Sequence, residues 1–203
     1  MQSKLDVFNL SLSLLGQSPL GTVDEDNEIG RVCNLVYPSS LRSFLVMHPW
    51  DVALRRAVLS VPNSVAPAWG FDYSYPLPLR CIRVLQTADS YGYILPEGDC
   101  NIEADNLITN QQTVNILYLS DDIEIGKMSP SVFDAFCTRF AVDIGNRILG
   151  ESANLNHVIG MFGEKMITAK QQNDSQSSYI VDGSSWLEAA MVNRRDDMRV
   201  IFE

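Results

Sequence analysis

Two histidines and four cysteines are all that this chain of 203 residues offers to metal or thiol chemistry. His48 and His157 stand in no HExxH pattern, and Cys33, Cys81, Cys100 and Cys137 are too scattered for a CxxC pair or zinc-finger spacing. Reduced thiols, partly in the core, are the expectation, with no metal and no cofactor. No uninterrupted apolar run is long enough to cross a bilayer, and Met1-Gln2-Ser3-Lys4-Leu5-Asp6 lacks the charged-then-apolar layout of a signal peptide. A soluble chain with no membrane partner is therefore expected.

Basic residues are scarce too. Between Arg83 and Lys127 there is no Lys or Arg, while Asp89, Glu97, Asp99, Glu103, Asp105, Asp121, Asp122 and Glu124 crowd the same stretch. That block carries most of the formal net charge of -10. It argues against wrapping nucleic acid, which needs a basic face. Two readings stay open: plain solvated surface, or a single-sign field that selects a basic partner or repels DNA.

What is present is enough apolar residue, 46%, for one good core or a core with a small appended one. Leu5, Phe8, Leu12 and Leu15 recur at helical spacing, with Ser3 as N-cap and Gly16 as stop. After acids at Asp24 to Glu28, a second helix is predicted from Ile29 to Met47, with a kink or break near Tyr37 because of Pro38. His48-Pro49-Trp50 ends it, and Val52–Leu59 reads as a brief resumption of helix.

From Val61 to Pro78, prolines interleave with Trp69, Phe71, Tyr73 and Tyr75, a pattern suited to an edge strand or extended arm. Cys81–Leu85, Tyr91–Leu95 and Val114–Leu119 read as strands separated by turns. Helical texture returns at Ser129-Pro130 and runs to Leu149-Gly150, and a further helix from about 154 to 172 is expected to bury Leu155, Val158, Ile159, Phe162, Met166 and Ala169. The fold class expected is α+β: a helical bundle (1–66 and 127–175) with an inserted small antiparallel β domain (67–126) and a linker with an extended C-terminal docking tail (176–203). The Gln/Asn/Ser-rich run 171–178 reads as the linker.

Catalytic constellations are thin. Gly160 and Gly163 do not match a phosphate loop and read as close helix packing. Paired carboxylates could cleave a glycosidic bond, with Asp121, Asp122 and Glu124, or Asp24 and Glu28, as candidates. In so acidic a chain such neighbours arise by chance, so the protein is read as no enzyme. The proline and aromatic elements read as buried corners, as an intersubunit contact, or as both.

Those elements carry a resemblance. Tyr37-Pro38, Arg42, Leu45, His48-Pro49-Trp50-Asp51-Val52-Ala53 and Arg56-Ala57-Val58-Leu59 are similar to a signature of the phage tail tubular protein A family, the head-to-tail adaptors, or gatekeepers, of T7-like podoviruses. In the same order, Trp69 with Tyr75-Pro76-Leu77-Pro78, Pro130 to Ala135, and Ser184-Ser185-Trp186-Leu187-Glu188-Ala189 resemble later motifs of that family. Asp51-Val52 stands where the family carries Asn-Phe, and Ala189-Ala190 where it carries Ala-Arg.

The resemblance implies a dodecameric ring of this chain beneath the portal protein, with a tail nozzle protein below. Genomic DNA would pass through the channel without specific binding, in the tail of a virion assembled in the host cytoplasm. His48, Pro49, Trp50, Ala53, Trp69, Tyr75, Pro76, Pro78 and Trp186 are then the family's structural motif. The tail residues Arg194, Arg195, Arg199, Val200, Ile201 and Phe202 are expected to dock on the portal, because such a segment cannot fold alone. Glu97, Asp99, Glu103 and Asp105 are expected to face the channel or the tail, where an acidic surface keeps DNA from sticking. The alternatives are a virion-associated peptidoglycan hydrolase and another ring, such as a tail terminator.

Overall fold

The computed structural model describes residues 2–96, 98–150 and 155–176. Trp186, the six tail residues from Arg194 to Phe202, and Glu97 lie outside them. The described chain is mixed α+β, as expected, with the strands lying between the second and third of four helices.

Capping decides the helix starts. Helix α1 (Lys4–Leu14) opens on a capping box: Asp6 N–H donates to Ser3 Oγ and Ser3 N–H to Asp6 Oδ2. Asn27 caps α2 (Glu28–Val46) by accepting from Gly30 N–H at 2.6 Å. Ser129 caps α3 (Pro130–Leu149), with proline at the first helical position, and Gly150 ends it at φ +87°. Helix α4 is Asn156–Gln176.

Pro38 does not break α2, which runs on to Val46. It removes one backbone donor, and burial of Ser40, Leu41, Phe44 and Leu45 beyond it holds the second half in place. The aromatic face of α3 supplies the centre of the core. Phe8 stacks on Phe140 at 5.5 Å, Tyr37 packs edge-on against Phe8, Phe136 and Phe140, and Phe44 lies 5.2 Å from Phe136. Two buried hydroxyls tie the helices together: Ser11 donates to the Cys137 carbonyl, and Ser40 to Asp143 Oδ2.

Six strands form two antiparallel sheets. The first has the order β1 (Leu54–Leu59), β6 (Val114–Ser120), β3 (Cys81–Ala88), and the second β2 (Tyr73–Pro76), β5 (Asn106–Thr109), β4 (Cys100–Glu103). Leu54, Leu119, Ile82 and Leu85 join the helical core. Tyr75, Leu107, Val114 and Ile116 make a second, smaller core between the sheets, flanked by Ala57, Leu59 and Val84.

Several expectations are corrected. Leu54–Leu59 is a strand rather than a resumed helix, because it pairs residue by residue with β6, so the first strand precedes residue 67. Tyr91–Leu95 is a loop with one bridge, Ala88 to Ile94. Asp89 Oδ1 accepts from both Tyr91 N–H and Tyr93 N–H, which takes the donors a strand would need. The fourth helix runs to Gln176, into the stretch read as linker, and half of Ile159 stays exposed.

Gly160 and Gly163 face open space rather than a packed helix. The close approach is at Gly145, where an added Cβ would come within 2.7 Å of Leu155.

Candidate interaction surfaces

The motif residues separate into two groups by burial. At the end of α2 the chain turns through His48-Pro49-Trp50 into β1, and Trp50 is fully buried, stacked on Phe44 with centroids 5.1 Å apart and planes at 8°. Its Nε1–H donates to the Phe44 carbonyl at 3.2 Å, which satisfies the indole's one donor. The His48 ring packs edge-on against it at 4.7 Å. Ala53 and Tyr75 are buried as well, the tyrosine hydroxyl donating to the Gln111 carbonyl.

A residue that sequence reasoning missed closes this corner. Asn173 of α4 is 6% exposed; its Oδ1 accepts from Asp51 N–H at 3.1 Å, and its Nδ2 donates to the Pro49 carbonyl at 3.3 Å and lies 3.5 Å from His48 Nε2. Met166, Ala169 and Asn173 follow one another at helical spacing and are all buried, a signal hidden by the polar composition around Asn173.

Three further motif residues among those described reach solvent. Trp69 is 87% exposed, Pro76 is exposed and Pro78 half-buried. Around them the β part shows more apolar surface: Leu79 is 91% exposed, and Val58, Val61, Val65, Tyr91, Tyr93 and Ile94 are exposed too. Exposed apolar residues are ordinary and the helices carry some too, Leu35 and Ile167 among them, but the most exposed of those described, Leu79, Trp69 and Tyr91, lie in the β part.

The acids also divide. Asp121, largely buried, receives Arg80 Nε on Oδ1 at 2.7 Å and Arg42 Nε on Oδ2 at 3.3 Å, so it clamps α2 to the segment entering β3. Glu124 pairs with Lys127 and Asp26 with Arg31. With both Asp121 oxygens engaged and Glu124 beside a lysine, the suggested carboxylate pair is part of an ionic frame. Asp99, Glu103 and Asp105 are exposed and pair with no cation among the described residues.

Burial pushes the Cys33 thiol up to about 11 and the Cys137 thiol up to about 12, so neither supplies thiolate near neutral pH. No group of three or more His, Cys, Asp or Glu among the described residues could hold a metal ion, and none of their helices is long and apolar enough to cross a membrane.

On the face of the first sheet turned away from the second lies an open groove of about 480 Å³, lined by Arg56, Val58, Gln86, Ala88, Asn115 and Leu117 among others. Compared with family models and with curated proteins, the chain matches none.

Proposed function

We propose that this chain is a structural virion protein, a subunit of the head-to-tail adaptor ring that connects a phage portal to the tail nozzle and forms part of the DNA channel. The observation that carries the reading is the division within the motif residues. Trp50, Ala53 and Tyr75 are spent on a buried frame, while Trp69 and its apolar neighbours stand in solvent, as parts that larger assembly would cover. A ring uses heterologous contacts, which need two different complementary faces on each subunit. The resemblance to the adaptor family supplies the partners: copies of the chain, the portal above and the nozzle below. The free acids Asp99, Glu103 and Asp105 suit a position where DNA passes or where a basic partner docks.

Electron microscopy of the purified chain with and without portal protein tests this reading. A ring seated on the portal is expected, and a chain lacking the residues after Asp182 is expected to stay folded but fail to attach. Full-length chain that leaves the portal bare would overturn the assignment.

A further inference from the structure

The groove and the acidic hairpin are complementary surfaces that one subunit cannot bring together. By register, Arg56, Val58, Asn115, Leu117, Gln86 and Ala88 share one face of the first sheet. Ala57, Leu59, Ile116 and Val84, on the other face, meet the second sheet in the smaller core. The β4–β5 hairpin belongs to that second sheet, so it lies on the side away from its own groove.

Each surface has a charge with no partner. Arg56 lines the groove and forms no ion pair among the described residues, although its neighbour Arg55 is tied to the carbonyls of Val52, Leu54 and Asp122. The hairpin turns at Ala104, φ +51°, with Glu103 and Asp105 exposed at the tip and Ile102 half-exposed beside them.

We infer that the groove of one copy receives the β4–β5 hairpin tip of the next, Glu103 and Asp105 meeting Arg56 while Ile102 covers apolar floor. This inference rests on the adaptor reading and deepens it by naming a contact between neighbouring subunits. Opposite charges on two different faces make the contact head-to-tail, the kind that closes into a ring when the rotation per subunit allows. It turns the tip pair toward a neighbour and leaves Asp99, at the far end of β4, for the channel or the tail.

Reciprocal charge reversal in the full chain tests it, read by sedimentation velocity and by microscopy on portal protein. Arg56→Glu makes groove and tip both acidic; Glu103→Arg with Asp105→Arg makes both basic. Each variant, with a thermal melt like wild type, is expected to self-associate on the order of tenfold more weakly or worse. An equimolar mixture is expected to recover wild-type association, because each groove again meets an opposite tip.

Wild-type chain that never self-associates, reversed variants that associate as wild type does, or a mixture that fails to recover would each overturn the inference. If both reversed variants still form rings on the portal, this contact falls and the adaptor reading stands. If wild-type chain associates in this charge-dependent way yet never binds portal, the adaptor reading falls and the contact stands.

Discussion

The helical and β parts of this molecule use their aromatic residues in opposite ways. In the helical part Phe8, Phe44, Trp50, Phe136 and Phe140 are all buried and pack against one another, so these rings are consumed inside the chain. In the β part only Tyr75 is fully buried among the aromatics, while Trp69, Tyr91 and Tyr93 are exposed. A core that completes itself makes a scaffold, and a β part with apolar surface left over makes a surface for partners. Trp50 in the one part and Trp69 in the other show the contrast most sharply.

Trp50→Ala is expected to give the largest effect, a loss of about 3–5 kcal/mol in chemical denaturation, since it empties the corner between α2 and β1. Asn173→Ala comes next, at about 1–3 kcal/mol, because two part-buried hydrogen bonds, from the Asp51 amide and to the Pro49 carbonyl, are lost together. The smallest belongs to Trp69→Ser, which is expected to move stability by no more than about 0.5 kcal/mol. Its effect should appear instead as weaker assembly. If Trp69→Ser destabilised the subunit as much as Trp50→Ala, the division between scaffold and surface would dissolve.

The helices were legible in the sequence because their signals are local. Ser3, Ser129-Pro130 and Gly150 mark ends within a turn of the chain they control, and the three-to-four spacing of Phe133, Phe136, Phe140 and Ile144 needs no distant partner to be read. The sheet was less legible because pairing is not local. Arg55 and Arg56 interrupt the apolar pattern of β1, whose identity comes from β6 across a long stretch of sequence. Strands β4 and β5 are four residues each, embedded in the acidic block, and were not anticipated.

At the surfaces the same rule holds. That Trp50 ends a helix could be read from the proline before it, but its closure by Asn173 depends on α4 returning to the corner. The acidic block read as one field, yet Asp121 and Glu124 are neutralised by arginines and a lysine, and Asp89 is occupied in a turn. Only the folded arrangement shows that, among the described acids of the block, Asp99, Glu103, Asp105 and Asp122 pair with no cation.

Hydroxyl-radical footprinting of the free and the portal-assembled chain compares the two parts in a single experiment. The account predicts that Trp69, Tyr91 and Tyr93 react in the free subunit and become protected on assembly, while Trp50 stays unreactive in both. Trp69, Tyr91 and Tyr93 remaining as reactive in the assembly as in the free chain would contradict it.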